Sequence, residues 1–376
     1  MVNKILSRAA VVVFGIVVAL LALELGLRAF FSLRGTEEQK AMYLYDAQQV
    51  DAHTYEFAGA PFLNFTLNPN YPDVNPRGYR GALVTVPKPK GVFRILAIGG
   101  STTYGGGGLT AKQAWPFQLQ AQLKNQYGYD NVQVVNLGVP SYISLNSLIQ
   151  LQTKGLALEP DMVIDYDNFN DALYRIYEEP ECYSGDTPMF GMGTDQGTWQ
   201  NTGRDLPVST LYRVLAIKFG WMDDPINLKE RVTRTGLCPP QSTDGSTFSK
   251  RRQENPPIYF ERNMRSIAAI AQNNHARMMF ASFAWDVATE KKMLAADPTL
   301  DGTRALLDAV DEQNTLIKQI AGDSGSLYED LATEMANNVD NSPYWQDDHI
   351  HQTIIGSQRQ AALMAAFIDK AGVIPK

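Results

Sequence analysis

Residues 92–100, VFRILAIGG, are the stretch that decides the fold of this chain. The run is apolar, rich in β-branched side chains, and ends in two glycines. It predicts a buried strand of a parallel sheet, because such strands are covered by helices on both faces. The glycines allow a tight turn at the end of the strand, so the hydroxyl of the next residue, Ser101, is predicted to be exposed there.

Strands and helices alternate on either side of one irregular region. Before it, the pattern predicts strands at 92–98, 132–135 and 162–166, and helices at 111–127 and 144–158. After it, the pattern predicts helices at 258–274, 303–321 and 353–371, a strand at 278–283 and a short strand near Leu327. The last helix carries an apolar face made of Ala361, Met364, Ala365 and Ile368. Alternation of this kind predicts βαβ units and a parallel sheet between two helical layers, a three-layer α/β/α sandwich.

The irregular region, about residues 175–257, reads as an insertion on this sheet. Glycine, proline, threonine and serine punctuate it, and six aromatic residues are scattered through it: Tyr177, Tyr183, Phe190, Trp199, Tyr212 and Trp221. These rings either form the insertion's own small core or stack on the sugar rings of a substrate. We therefore predict a domain at 91–376 that is interrupted by the insertion.

The N-terminal part predicts a membrane anchor and a tether. Residues 9–23 are uncharged, and the apolar character continues to Phe31 behind the basic pair Lys4 and Arg8. About 20 apolar residues suffice to cross a bilayer, so residues 1–34 are predicted as a retained anchor that spans the membrane through 9–31. A cleaved signal and an interfacial helix are the alternatives. The larger C-terminal part is then predicted to be extracytoplasmic, either periplasmic or extracellular.

Residues 35–90 are predicted as an extended tether, because six prolines break any long helix there. They are Pro61, Pro69, Pro72, Pro76, Pro87 and Pro89. The two cysteines, Cys182 and Cys238, both fall in the insertion. In an oxidising compartment they are predicted to form a disulfide, with two buried thiols as the alternative.

Length and composition limit the number of domains and the classes of partner. The length fits one large domain or two modest ones. The chain has 376 residues, of which 44% are hydrophobic, so it can bury a sizeable core. Its net charge of −7 argues against a nucleic-acid partner, which requires a basic face. No Cys-x-x-Cys pair occurs, which argues against a zinc knuckle.

Ser101 is either a nucleophile or a helix N-cap when it is considered alone. Its window lacks the second glycine of a Gly-x-Ser-x-Gly elbow, because Thr103 stands there. It is not a phosphate loop either, since no lysine follows. The four glycines at 105–108 are only a weak sign of a dinucleotide turn. A serine nucleophile needs a base to remove its proton, so the decision depends on finding that base.

The segment QDDHIH at 346–351 offers such a base. It places Asp348 three residues before His351, and at that spacing the two side chains can meet across one turn. The acid would hold the imidazole ring and stabilise the cation that forms during proton transfer. His53 falls in the tether and His275 ends a polar helix, so neither is favoured. If Asp348 and His351 face each other, His349 points elsewhere.

A metal site is the alternative interpretation of the same segment. Asp165 and Asp167 lie on one face of a predicted strand and could add ligands to it. One compact acidic and histidine cluster is a weak metal signal, and we predict neither a metal nor another cofactor.

Acyl transfer also needs hydrogen-bond donors for the oxyanion. Gly138 follows the second predicted strand, and its amide can point into a shared crevice without a side chain in the way. Asn170 follows the third strand and can donate from its carboxamide. Seen separately, they read as a loop glycine and a turn asparagine.

Taken together, Ser101, Gly138, Asn170 and His351 resemble the four ordered motif blocks of the SGNH/GDSL hydrolase family. The resemblance covers about residues 91–175 and 258–371. It implies a flavodoxin-like sheet, Ser101 as nucleophile, His351 as base and Asp348 as the group that orients it. It also implies an oxyanion hole formed by the amides of Ser101 and Gly138 with the Asn170 side chain. The third block normally begins with glycine, and Asn168 stands there; asparagine tolerates a left-handed backbone, so the turn is predicted to survive.

These observations predict a serine esterase that acts on a carboxylic ester, either an acylated cell-surface carbohydrate or a lipid. Two alternatives stay open: an O-acyltransferase that acts on an envelope polysaccharide, and a non-catalytic subunit of a membrane assembly. The oligomeric state is not indicated.

Overall fold

The computed structural model describes residues 2–46, 49, 50, 57–60, 62–183, 207–222, 247–336 and 342–375. The chain divides into two compact units. One consists of Met1–Gly59 with Gly193–Thr233, and the other of Ala60–Met192 with Arg234–Lys376.

The described helices and strands are as follows. The first helices are α1 (Val2–Arg34), α2 (Glu37–Tyr43), α3 (Ser101–Tyr104), α4 (Trp115–Asn125), α5 (Ser144–Gln150), α6 (Phe169–Tyr177) and α7 (Thr210–Lys218). The remaining helices are α8 (Phe248–Glu254), α9 (Ile258–Asn273), α10 (Val287–Ala296), α11 (Asp301–Ser324), α12 (Leu331–Ala336) and α13 (Ile354–Ala371). The strands are β1 (Phe57–Ala60), β2 (Leu63–Leu67), β3 (Phe93–Gly99), β4 (Val132–Asn136), β5 (Met162–Tyr166), β6 (Arg277–Ala281) and β7 (Leu327–Glu329).

The second unit is built on a five-stranded sheet of order β4-β3-β5-β6-β7, in which every neighbouring pair is parallel. Strand β3 lies between β4 and β5, and its side chains alternate between two cores. Ile95 and Ala97 face the core that contains α4 and α13, whereas Leu96 and Ile98 face the core that contains α9. The predicted three-layer α/β/α architecture is therefore confirmed, and the turn after β3 lies at the carboxyl edge of the sheet.

Helix boundaries differ from the periodicity where local chemistry intervenes. Helix α4 begins at Trp115 because residues 110–114 form a turn and Pro116 occupies the first helical turn. The helix predicted at 144–158 ends its α-helical part at Gln150 and continues as a π segment, Leu151–Gly155, and a 3₁₀ turn. Helix α10 has no buried residue, so it carries no apolar stripe by which it could be predicted.

Part of the predicted tether packs into the second unit instead. Leu63, Phe65 and Leu67 are buried, and the backbone carbonyl of Phe65 accepts a hydrogen bond of 2.7 Å from the Tyr142 hydroxyl. Residues 63–80 thus form a wall of the domain, although their prolines do exclude a long helix.

The described aromatic residues of the insertion divide into two groups. Tyr177 packs on Phe248 with ring centres 4.9 Å apart, and Tyr183 packs between Tyr174 and Tyr259 at 5.4 and 5.0 Å. These rings form a local core, whereas Tyr212 and Trp221 are exposed. The two remaining rings, Phe190 and Trp199, lie outside the described residues.

The first unit contains α1, α2 and α7. Its residues Arg8–Arg34 form a helix that is long and apolar enough to cross a membrane, and its side chains are largely exposed. Near the end of α1, Phe31 packs against the ring of Tyr43 with centres 4.7 Å apart. The predicted disulfide stays a prediction, because Cys238 lies outside the described residues.

Candidate active site

Ser101 is the first residue of α3, directly beyond the carboxyl end of β3. The turn requires glycine at position 99, where φ is +147° and a Cβ would lie 2.9 Å from the carbonyl oxygen of Tyr166. Among the described residues, no acceptor is hydrogen-bonded to the backbone N–H of Ser101. The hydroxyl of Ser101 and its unbonded backbone N–H therefore both lie at the N-terminus of α3.

His351 and Asp348 complete a continuous hydrogen-bonded chain with this serine. The Nε2 atom of His351 lies 2.8 Å from the Oγ atom of Ser101. On the other side of the ring, Nδ1 lies 2.5 Å from the Oδ2 atom of Asp348. The structure thus brings together, across 250 positions of sequence, the serine and the local acid–histidine pair.

The carboxylate of Asp348 is held in its ionised form. Burial alone would raise its pKa, but hydrogen bonds from the His351 ring and from the backbone N–H groups of His351 and Ile350 outweigh it and lower the pKa. Oδ1 accepts those two backbone bonds at 2.9 and 3.0 Å, which leaves Oδ2 for the ring. An ionised acid at Nδ1 leaves Nε2 of a neutral imidazole free to accept the serine proton.

The loop after α3 is built closely around the imidazole ring. A Cβ at Gly106 would lie 2.7 Å from the Cδ2 atom of His351, so this position has no space for a side chain. Arg80 supports the loop from behind, because its guanidinium donates to the carbonyls of Tyr104, Gly105 and Leu109. Sequence patterns gave neither residue a role at the site, since both act through contacts between distant segments.

Asn170 lies against the same turn. Its Nδ2 donates a 2.7 Å hydrogen bond to the carbonyl of Tyr142, which fixes the carboxamide and leaves a second N–H. A Cβ at Gly100 would lie 2.8 Å from that Nδ2 atom. The second glycine of the β3 turn is therefore needed for the close approach of Asn170.

Gly138 does not present its amide to Ser101, contrary to the prediction. Its N–H donates to the Oδ1 atom of Asn136 at 2.9 Å, and a Cβ would lie 2.3 Å from the backbone nitrogen of Tyr104. Glycine is thus needed there for packing against α3. Three residues later, Ser141 has φ +64° and, among the described residues, its N–H has no hydrogen-bond acceptor. The positive φ of a non-glycine residue was not visible in the sequence.

Asn168 adopts a different backbone from the predicted left-handed one. Its φ is 178°, which is extended, so the expectation of a left-handed turn is wrong. The side chain provides the reason, because its Nδ2 donates to the Val310 carbonyl at 3.2 Å and to the Oδ1 atom of Asn314 at 2.8 Å. These bonds tie the turn after β5 to α11.

The residues of the metal alternative are not gathered around His351. The Nδ1 atom of His349 lies 2.8 Å from the Oε1 atom of Glu290, and Asp165 and Asp167 are buried at the end of β5. Within the described ranges, no group of three or more histidine, cysteine or acidic residues is arranged to hold a metal ion.

Three buried acids lie beside the site, and burial raises the pKa of each. They are Asp165, Asp167 and Asp171. For Asp171 the pKa rises to about 6, although hydrogen bonds from Ser144 oppose the effect of burial. Its carboxylate accepts from the backbone N–H and the hydroxyl of Ser144 at 2.9 and 2.6 Å. Asp171 therefore joins the turn after β5 to the start of α5.

Replacing Asp171 by asparagine is expected to stabilise the protein at pH 8 but not near pH 4. An acid with a raised folded-state pKa binds more protons in the native state than in the unfolded one. The wild type therefore loses stability as pH rises from about 4 to about 6, and the loss stays constant above that range. Two pKa units correspond to about 3 kcal/mol, which the isosteric amide avoids. Denaturant unfolding of both proteins at several pH values measures the difference; a gain that is the same at every pH would contradict this assignment.

Two kinds of comparison find known proteins that are similar to this chain. The sequence profile of the GDSL-like lipase/acylhydrolase family matches residues 97–359. No curated protein matches the chain. Similar solved structures include an acetylxylan esterase from Geobacillus stearothermophilus, at 14% identity over 73% of this chain and 94% of that one, with a TM-score of 0.43. A lipase/acylhydrolase from Enterococcus faecalis is 12% identical over 74% of this chain and 97% of its own, with a TM-score of 0.44.

Proposed function

This chain belongs to the GDSL-like lipase/acylhydrolase family, and from that premise we propose that it hydrolyses a carboxylic ester through an acyl intermediate on Ser101. The observation that carries the proposal is the hydrogen-bonded chain from Ser101 Oγ through both nitrogens of His351 to Asp348. That chain supplies a nucleophile, a base and an acid that orients the base.

The reaction proceeds in two matched halves. The Nε2 atom of His351 takes the serine proton while Oγ attacks the carbonyl carbon, and the resulting imidazolium is stabilised by Asp348. The tetrahedral intermediate collapses, the ester C–O bond breaks, and the alcohol leaves with the proton that Nε2 returns. A water molecule then repeats the sequence on the acyl-serine and releases the carboxylic acid.

The oxyanion is proposed to be bound by the N–H of Ser101 and the second N–H of Asn170. Ser141 supplies the third donor in place of Gly138. Support for this assignment comes from the unused N–H groups of Ser101 and Ser141 and from the orientation of the Asn170 amide by Tyr142.

The acyl group is proposed to be short. The crevice at Ser101 is walled by Tyr142, Tyr166 and Phe283, which are at most 2% exposed. Tyr166 is stacked on Phe283 with ring centres 5.0 Å apart, and its hydroxyl is hydrogen-bonded to the backbone of Ala284. Walls held in this way cannot move aside for a long chain without losing packing.

The alcohol part of the ester is proposed to be a carbohydrate. Phe283 also lines a neighbouring cavity of about 560 Å³, whose other walls include Trp285, Lys291, Asp308 and Asp311. An indole together with charged groups suits the mixed apolar and hydroxyl surface of a sugar better than it suits a lipid tail. An O-acetylated glycan is therefore the proposed substrate class.

Short acyl esters are expected to be hydrolysed faster than long ones. Because the crevice cannot lengthen, the kcat/KM for a p-nitrophenyl acetate should exceed that for the octanoate at least about ten-fold. Release of acetate from an acetylated polysaccharide, compared with release of fatty acid from phospholipid vesicles, tests the alcohol part. Faster cleavage of the octanoate and of phospholipid would overturn the substrate assignment.

Replacing Asp348 by asparagine is expected to lower kcat about 10⁴-fold, because the amide would favour the wrong tautomer of His351. The neighbouring Asp347 provides a matched control, since it has the same chemistry but is not bonded to the ring. Asp347→Asn should change kcat by less than about three-fold, within the ordinary effect of a surface substitution. Equal losses in the two variants of purified, folded protein would contradict the role proposed for Asp348.

The second unit, which contains Ser101, Asp348 and His351, is proposed to be attached to a membrane through residues 9–31 of α1. It is proposed to lie outside the cytoplasm. Support comes from the length and apolar character of the helix. Glu24, Arg28 and Phe31, which lie near the end of that helix, all make contacts within the first unit. Those contacts favour a retained anchor over a cleaved signal, because cleavage would remove them.

A further inference from the structure

Helix α7 buries the polar side chains of Thr210 and Arg213 while it exposes apolar ones, and its half-buried positions, Leu211, Val214 and Ile217, are apolar as well. Thr210, Arg213 and Ala216 are buried, whereas Tyr212, Leu215 and Phe219 are 48%, 39% and 59% exposed. Both sets recur at the spacing of one helix face. In a surface helix in water the exposed positions are normally polar, and an arginine is rarely fully buried.

The buried side is fastened by polar bonds to the segment around α2. The guanidinium of Arg213 donates to the carbonyls of Tyr45 and Ala41 at 2.7 and 3.0 Å, and the Thr210 hydroxyl donates to the carbonyl of Tyr43 at 3.0 Å. These bonds fix which face of α7 is turned outward. The exposed stripe is therefore a property of the folded unit.

Glu24 fastens the start of α7 to the apolar helix α1. Its carboxylate accepts from the backbone N–H groups of Thr210 and Leu211 at 2.9 and 2.8 Å, and from the hydroxyl of Ser209 at 2.9 Å. Arg28 pairs with the same carboxylate at 2.6 Å. A charged residue inside an apolar helix thus has a complete set of partners, which fixes the level of α7 along α1.

That level falls near one membrane boundary. Glu24 lies roughly 22 Å beyond Ala9 along the helix axis, within a hydrocarbon layer that is about 30 Å thick. Beyond α7 the chain exposes Trp221 at 69%, and its ring stacks on Phe219 with centres 5.3 Å apart. Tryptophan and tyrosine are the residues that concentrate at the headgroup level of membrane proteins.

We propose that α7 and the stacked Phe219–Trp221 pair lie in the headgroup–acyl boundary of the leaflet from which the C-terminal end of α1 emerges. The proposal rests on the proposed membrane attachment of α1. The lipid surface covers the stripe of Tyr212, Leu215 and Phe219, and the insertion thereby becomes a second membrane contact. Glu24 joins the start of α7 directly to the apolar helix α1. Because α1 is proposed to lie in the membrane, this connection favours lipid over a second copy of the chain as the partner of the stripe.

The test uses the full chain reconstituted in phosphatidylcholine vesicles that contain a minority of phosphatidylglycerol. Two matched lipid sets carry bromine either near the ester end or near the methyl end of the acyl chain. The fluorescence of Trp221 is obtained as the difference between the wild type and the Trp221→Phe variant, which keeps the ring stacked on Phe219. Flotation of both proteins with the vesicles establishes attachment separately.

We expect the Trp221 component to lose most of its intensity with bromine near the ester end and less with bromine near the methyl end. A protein that floats but whose Trp221 component is unquenched would overturn the α7 inference and leave the anchor intact. Unquenched fluorescence with a cross-linked dimer would assign the stripe to a second copy. Stronger quenching by the deeper bromine would overturn the boundary position.

A protein that does not float would overturn both the anchor and the α7 contact. Hydrolysis of a soluble ester by the same preparation keeps the catalytic proposal separate from both. As a second variant, Leu215→Ser should weaken the quenching of Trp221 by drawing the helix towards water, whereas Lys218→Ser should not. Equal quenching in these two variants would contradict a lipid-facing stripe.

Discussion

Replacement of Ser101 by alanine should abolish covalent labelling by a fluorophosphonate probe and lower ester hydrolysis about 10⁶-fold. The probe reacts only with a serine whose hydroxyl is activated, and Ser101 Oγ is hydrogen-bonded to His351 Nε2 at 2.8 Å. Removal of that oxygen leaves no atom to form the acyl intermediate. Residual hydrolysis would come from the oxyanion donors and from substrate binding alone.

The control for this experiment lies next to it in α3. Thr102 also carries a hydroxyl, and it lines the same crevice, but no hydrogen bond joins it to His351. Thr102→Ala should keep labelling and change hydrolysis by less than about ten-fold, as expected for loss of one contact. The free energy of unfolding of Ser101→Ala should stay within about 1 kcal/mol of wild type, since only one neutral hydrogen bond is lost. Probe labelling that persists in Ser101→Ala would contradict the assignment of Ser101 as the nucleophile.

The local parts of the site were predictable because their geometry is set by short-range spacing. Asp348 and His351 are three residues apart, and the same turn brings their side chains within hydrogen-bonding distance. Ser101 follows a buried strand, and topology carries the end of such a strand to the crevice of a parallel sheet. Residue type, spacing and topology identified these three residues as candidates, and the resemblance to the SGNH/GDSL family implied their roles.

The supporting parts were not predictable, because they depend on close approach between distant segments. The amide of Gly138 is bonded to Asn136, which the sequence gives no reason to expect. Gly106 fits against the His351 ring, and Arg80 reaches from the predicted tether to the loop behind it. Each of these contacts depends on packing between segments that are distant in sequence, so a local sequence pattern does not predict it.

The fold itself was predictable where the buried positions of an element give a recognisable pattern of apolar residues in the sequence. Strand β3 is covered on both faces and reads as an apolar run interrupted by one charged residue, Arg94, and α13 shows its docking face at helical spacing. Helix α10 has no fully buried residue, and the sequence analysis did not predict it. Helix α7 carries apolar residues on more than one face, so only the structure shows that Tyr212 and Leu215 are exposed.

Replacement of His351 by alanine should lower kcat by about 10⁶-fold, as much as the loss of Ser101, because the two residues act as one unit. Among the residues that the structure describes, no group other than the imidazole is hydrogen-bonded to Ser101 Oγ and could accept its proton. The double variant Ser101→Ala/His351→Ala should be no slower than either single variant. Additive losses would mean that His351 does not act through the serine.

His349 gives the matched control, since it is the same residue type two positions away. Its Nδ1 pairs with Glu290 at 2.8 Å instead of facing the nucleophile. His349→Ala should therefore lower stability by about 1 kcal/mol and leave kcat within about ten-fold of wild type. Added imidazole should restore part of the activity of His351→Ala, because the vacated space beside Gly106 fits the ring that was removed. Activity restored by imidazole would show that His351→Ala lacks only its base and that the loop is still folded. An equal loss of activity in His349→Ala would instead indicate a structural role for the whole segment.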